Sequence, residues 1–237
     1  MPKRRGKFLW IPLFGESNST SESEALLVHL GMSGQMLLRP PGTTDRLTRV
    51  RIDFQTAKQD SYTLNFVDQR IFGSLAIDSL IEIDGEWIPS QVRHIARDLL
   101  DSKFDPKSFK SSLRGRGAGI KKLLLNQNLI SGIGNIYADE ALWSAKIHPD
   151  TPAGSLSSAR VDALITELSN VLHRALEEGG TSFDWQYKNV NGESGYFSRS
   201  LNAYGQQGKP CQRCGRPIIR ERFMNRSSHY CPNCQRI

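Results

Sequence analysis

No cysteine occurs before residue 211, and no run of 18 or more apolar residues occurs anywhere in the 237. The first absence rules out a disulfide framework over most of the chain, and the second excludes a helical membrane span. There is no Gly-x-Gly-x-x-Gly fingerprint and no P-loop, so these two nucleotide-binding turns are excluded. No internal repeat is present. The opening Met1-Pro2-Lys3-Arg4-Arg5-Gly6-Lys7 is basic, as a signal peptide can be, but Pro12, Gly15 and Glu16 interrupt the short apolar stretch after it. A secretion signal is therefore not expected, and the chain is read as cytoplasmic. Apolar residues make up 38% of the chain, and a mean hydropathy of -0.44 predicts a soluble protein.

What is present is positive charge, and it is clustered. The net charge is +7. Between Lys209 and Ile237 lie Lys209, Arg213, Arg216, Arg220, Arg222, Arg226 and Arg236 against the single acid Glu221, which places +6 of that excess in the last 29 residues. Lys3, Arg4, Arg5 and Lys7 add a second cluster at the start. Basic clusters suit a polyanion such as DNA better than they suit general solubility.

Periodicity divides the chain. Up to about residue 90 it is β-rich: Ala25–Leu30 is a short apolar run, Arg49–Phe54 alternates at the strand period, and Tyr62–Val67 alternates less cleanly. Gly15–Ser23 is polar and reads as an exposed hairpin loop. From about Asp105 to Glu178 the period is helical. Ile120–Leu125 and Gly134–Lys146 read as short helices. A longer one starts at Ser157 or Ser158, carries Val161, Leu164, Ile165, Leu168, Val171, Leu172 and Leu176, and ends at Gly179-Gly180. Residues 181–208 are aromatic and Gly-rich, with weak periodicity.

The last segment holds Cys211-x-x-Cys214, then 16 residues, then Cys231-x-x-Cys234. Two such knuckles can close on one metal, with the intervening segment forming a β-hairpin that brings them face to face. Four thiolates leave no open coordination position, so a structural Zn²⁺ is expected, with iron or a redox pair as the alternatives. His229 is a possible but redundant ligand. A module this small needs the metal to fold. Most zinc ribbons touch no DNA, yet Arg220, Arg222 and Arg226 around the hairpin turn could reach phosphates or a groove. Gly132-Ile133-Gly134-Asn135 precedes a helix start. It reads equally well as a phosphate-approaching turn and as a plain interhelical link.

Taken in order, these pieces resemble the formamidopyrimidine-DNA glycosylase/endonuclease VIII family. The resemblance rests on Arg5–Trp10, His29–Gly34, Asp68–Gly73, Gly132–Glu140 and the four-Cys finger, with Gly195-Tyr196-Phe197 and Leu201–Gly205 in support. It implies an α+β fold: an incomplete N-terminal β-sandwich (1–95), a helix–two-turn–helix domain (104–205) and a zinc finger (206–237), with DNA held between domains. It implies base-excision repair of oxidised purines in duplex DNA by a monomeric glycosylase and AP lyase that flips the damaged base. Carried over by position, Lys7 binds a phosphate beside the lesion, and Met32, Arg70 and Phe72 fill the hole the flipped nucleotide leaves. Lys121, Asn135, Tyr137 and Arg226 clamp phosphates. Lys7 and Glu140 become the supporting catalytic candidates, and Thr181–Phe197 the region that caps the extruded base. Without the resemblance, Met32 and Phe72 read as ordinary strand packing and Glu140 as a helix-surface charge.

The family begins with proline followed at once by glutamate, the amine nucleophile and its proton-handling partner. Here Pro2 is followed by Lys3 and lies five residues before Lys7, in a different part of the pattern. The expectation is a chain without the catalytic N-terminal segment. Its β region should expose apolar surface and be less stable than its helical and zinc part. Ile71 and Leu47 stand where many members carry basic residues. Two further readings are a catalytically inactive binder of damaged or abasic DNA and a zinc-ribbon protein with RNA or protein partners.

Overall fold

The computed structural model describes residues 1–14, 24–180, 197 and 200–237. The chain divides into two compact units: residues 1–94 with 178–198, and residues 95–177 with 199–237. Among the described residues no helix is long and apolar enough to cross a membrane.

The first unit resolves the expected sandwich into two antiparallel sheets. Strands β1 (Lys3–Arg5), β2 (Phe8–Leu13), β3 (Glu24–His29), β4 (Gly34–Arg39), β5 (Thr48–Gln55), β6 (Ser61–Asp68), β7 (Ser74–Ile83) and β8 (Glu86–Pro89) form one sheet ordered β1-β2-β3-β7-β8 and another ordered β4-β6-β5. The connections β3–β4 and β6–β7 both pass from one sheet to the other. The imperfect alternation of β6 has a physical cause. Thr63 and Asn65 are buried on one face, where Thr63 donates to Asp53 (2.6 Å) and Asn65 donates to the Thr43 carbonyl and to Asp45 (both 2.9 Å). On that buried face polar pairing replaces apolar packing. On its other face Leu64 pairs with Leu38 and Ile52, and Tyr62 with Phe54. Leu38, Val50 and Phe54 there stay 39–43% exposed. The predicted loop Gly15–Ser23 lies outside the described residues.

The second unit contains α1 (Pro106–Leu113), α2 (Ile120–Leu124), α3 (Asn135–Ser144), α4 (Ser158–Glu177) and the hairpin of β9 (Ile219–Phe223) and β10 (Arg226–Tyr230). Asp105 caps α1 by accepting from the Lys107 N–H at 2.9 Å, with Pro106 in the first turn. At the start of α4, Ser157 accepts from the Arg160 N–H (3.3 Å), and beyond its end Gly179 and Gly180 take left-handed φ of 73° and 88°. The apolar stripe of α4 buries Val161, Leu164, Leu168, Val171 and Leu172, while Ile165 is only half-buried and Leu176, predicted on the same stripe, is exposed near the helix end. Ile120, Leu124, Ile130, Ile133, Leu142 and Ile147 complete a closed core.

Candidate nucleic-acid interface

The predicted residues fall into two sets, one in each unit. In the first, Arg5 and Phe8 pair across the two-residue turn Gly6-Lys7, with Gly6 at φ 56°. A glycine at the first turn position suits the backbone twist of a tight hairpin. Arg5 is buried and bonds Glu86 at 2.7 Å, which anchors the hairpin and leaves Lys7 exposed at its tip. Burial, and then the nearby Lys7 ammonium, lowers the pKa of His29.

Met32 and the pair Arg70/Phe72 occupy the two sheet-to-sheet connections. All three side chains are exposed, Met32 at 59% and Phe72 at 62%. Ordinary strand packing, the bland reading of the two apolar ones, is thereby corrected: neither side chain is in the core. Ile71, between Arg70 and Phe72, is 67% exposed and holds φ 58°, a strained conformation for a β-branched residue. The sequence marks Ile71 only as a departure from a basic residue, because its exposure depends on a turn that only the fold reveals.

Asp68 holds the second connection. One carboxylate oxygen accepts from the Ser33 hydroxyl and the Arg70 N–H (3.2 Å), and the other from the Gly73 N–H (2.8 Å). Burial pushes this carboxyl up, but the hydrogen bonds from Ser33 and from the N–H groups of Gly73, Arg70 and Ile71 outweigh it and leave the pKa below the ordinary value. Its contribution to stability is therefore present above the ordinary carboxylate range and is lost as pH falls through the depressed value.

In the second unit Lys121 is not at the surface. Its ammonium is 0% exposed and pairs with Asp139 at 2.6 Å. It also donates to Ser228 Oγ (2.8 Å) and the Ser227 carbonyl (3.0 Å), and sits 4.6 Å from the Phe223 ring centre. All three N–H donors are thereby committed inside the unit, so the direct phosphate contact expected of Lys121 is corrected to a strut between α2, α3 and the finger. Burial lowers its pKa more than Asp139 restores it, as expected of a buried ion pair whose desolvation is costly. Asp139 also accepts from the His229 N–H at 3.0 Å and touches His229 Nδ1 at 3.2 Å.

Asn135 opens α3 and donates to the same Ser227 carbonyl at 3.0 Å. Gly132 precedes it at φ 82°, and Gly134 puts no side chain over the first turn. Tyr137 is half-buried in that turn, and Arg226 is exposed at the start of β10. Met224, at φ 50° in the hairpin loop, is also exposed and was not singled out from the sequence.

Glu140 is fully buried. Its oxygens accept from the N–H groups of Ala203 (2.8 Å), Tyr204 and Asn202 (both 2.9 Å) and from the Asn202 amide (3.4 Å). Saturated in this way, it anchors residues 202–204, and its candidacy as a reacting carboxylate is corrected to that structural role. The predicted base-capping stretch Thr181–Tyr196 lies outside the described residues.

The four cysteines converge with their sulfurs within 4.8 Å of one another and form no disulfide. The Cys214–Cys231 sulfur separation is 3.4 Å, close to the roughly 3.8 Å that four thiolates span around a tetrahedral zinc with bonds of about 2.3 Å. Burial pushes the Cys231 thiol up to about 12, while the Arg216 N–H and then Asn233 draw Cys214 down to about 6. A bound cation removes this conflict by taking all four as thiolates. His229 is committed to Asp139 and is no ligand. Arg213, inside the first knuckle, donates to the carbonyls of Trp143 (2.5 Å) and Ser144 (3.2 Å) at the end of α3 and stacks on Trp143 at 3.9 Å. The finger is thus bolted to α3 at both ends.

A helical unit fused to a four-cysteine finger, in one chain with a β unit of two antiparallel sheets, defines a class of two-unit zinc-finger protein. Its similarity to known proteins narrows that class to a DNA-repair family. The formamidopyrimidine-DNA glycosylase N-terminal domain matches residues 2–75, its H2TH domain residues 95–186, and the zinc finger found in FPG and IleRS residues 208–237. The formamidopyrimidine-DNA glycosylase of Leifsonia xyli is 56% identical across the whole chain, which covers 82% of that protein. The Rhodococcus opacus enzyme of the same name is 53% identical over 98% of the chain and 78% of its own length. Among solved structures, the MutM (Fpg) protein of Thermus thermophilus superimposes with a TM-score of 0.79 at 34% identity, covering 99% of this chain and 81% of that one. Lactococcus lactis Fpg bound to DNA containing an abasic site gives 0.77 at 28% identity, covering 100% and 81%. The chain belongs to the formamidopyrimidine-DNA glycosylase family, and its four-cysteine cluster is the family's structural zinc site. The family's N-terminal domain is represented from residue 2 onward, where the sequence reading expects only a truncated one.

Proposed function

We propose that this protein serves base-excision repair of oxidised purines, such as 8-oxoguanine and formamidopyrimidines, and binds duplex DNA at an oxidised base or an abasic site. The observation that carries this reading is the exposed set Met32, Arg70 and Phe72 on adjoining connections of the β unit. Apolar side chains can wedge into a base stack, and an arginine can hydrogen-bond the base left without a partner. Lys7, Tyr137 and Arg226 contact phosphates, with Asn135 at the start of the same helix as Tyr137. Lys121 acts behind this surface by fixing the finger hairpin from which Arg226 projects. The protein works as a monomer in the cytoplasm, where the chromosome of a bacterial cell lies.

The family reaction is a glycosylase and AP-lyase step through an amine nucleophile paired with glutamate. Titration with duplex DNA containing an abasic site and with its intact counterpart, followed by borohydride, tests this reading. Tighter binding to the abasic duplex supports it, equal affinity for the two overturns it, and a trapped adduct would extend it to the covalent step.

A further inference from the structure

We propose that Asp68 and Ser33 are positioning residues that lock the Met32 connection to the Arg70–Phe72 connection, so that wedge and orphan-base donor meet DNA already assembled. This rests on the reading of those side chains as void fillers.

The two connections lie far apart in sequence and join different strand pairs, yet they share one hydrogen-bonded hub. The Ser33 hydroxyl donates to Asp68 and accepts from the Arg70 N–H at 3.0 Å. The Asp68 carboxylate, fully buried, also takes the N–H groups of Arg70 and Gly73, the residues on either side of Ile71 and Phe72. A buried carboxylate is costly unless its oxygens are satisfied, so the hub holds only while the connection keeps this turn. The left-handed backbone of Ile71, φ 58°, is the consequence. Such strain persists where the surroundings over-determine it.

A second contact fixes the same registry. A Cβ on Gly31 would lie 2.5 Å from the Phe72 carbonyl carbon and 2.7 Å from the Gly73 nitrogen. The main chains of the two connections therefore pack closely against each other. Side chains that must enter a base stack lose less freedom on binding when they are pre-ordered.

The test uses the full chain with zinc bound. Affinities are measured for an abasic-analogue duplex and its intact counterpart, together with the fluorescence of a base analogue that brightens when unstacked opposite the lesion. Asp68→Asn, which replaces an acceptor with an amide donor, is expected to cut the lesion-to-intact affinity ratio roughly tenfold. The unstacking signal should fall while affinity for intact duplex stays within about twofold, since phosphate contacts carry non-specific binding. Ser33→Ala should act in the same direction with a smaller effect. Should Asp68→Asn fail to fold, Ser33→Ala decides alone. Variants that fold and keep both the ratio and the signal overturn the proposal. The double variant Met32→Ala/Phe72→Ala separates the two levels. If it leaves the ratio intact, the void-filling reading itself falls. If it abolishes the ratio while the hub variants do not, only the positioning role falls.

Discussion

The two units hold their exposed side chains in place by opposite means. The helical and finger unit is closed: Ile120, Leu124, Ile130, Ile133, Leu142, Ile147, Leu164 and Leu168 are all fully buried, and even Lys121 is sealed inside. The β unit is open. Among its described residues Ile88, Val28, Val92 and Phe197 are fully buried, but the β4-β6-β5 sheet leaves Leu38, Val50 and Phe54 partly exposed. In the helical unit rigidity comes from apolar packing, zinc and a buried ion pair. In the β unit it comes from local hydrogen-bonded hubs such as the one at Asp68. The proposed phosphate clamp would need a firm platform and the proposed wedge fixed turns, and each unit has the corresponding kind of order.

Removing zinc should break the comparison most severely. Chelation is expected to unfold the finger, withdraw the Ser227 and Ser228 partners of Lys121, and abolish DNA binding, while the β unit keeps its strand signature by circular dichroism. Retention of DNA binding after complete metal loss would contradict this. Next in size is Asp139→Asn. It leaves the Lys121 ammonium buried without its counter-charge, and should lower stability by about 3–5 kcal/mol in denaturant melts of the helical unit. A loss under about 1 kcal/mol would mean the ion pair is not a strut. Smaller again is the contrast in native hydrogen exchange. Amides of α3 and α4 should be protected by about 2 kcal/mol more than those of β4–β6, the deficit expected from three half-exposed apolar side chains. Equal protection in both units would remove the contrast altogether.

Much of this was legible in the sequence, for identifiable reasons. The helices α2, α3 and α4 follow from apolar spacing, the Ser157 cap and the Gly179-Gly180 stop, and the finger follows from the two Cys-x-x-Cys knuckles. β6 was harder to read because Thr63 and Asn65 occupy a buried face, satisfied by Asp53 and Asp45 from other segments. Periodicity cannot register a partner that the fold brings from elsewhere. For the same reason Lys121 and Glu140 read as surface charges or ligand contacts. A charged residue on a helix is exposed in most settings, and only the tertiary structure reveals Asp139, Ser227 and residues 202–204 around them. Conversely, Met32 and Phe72 look like core residues by composition, and their exposure depends on turns set by Asp68, Gly31 and the left-handed Ile71.

The proposed wedge residues of the β unit and the proposed clamp residues of the helical unit are each expected to favour lesion DNA over intact duplex. The direct measurement is an equilibrium titration of the zinc-bound chain with an abasic-analogue duplex and its intact counterpart at one fixed salt concentration. At least about tenfold tighter binding to the lesion duplex is expected, a difference of about 1.4 kcal/mol. Equal affinity for the two duplexes would show a basic DNA-binding surface without a working wedge, and would contradict it.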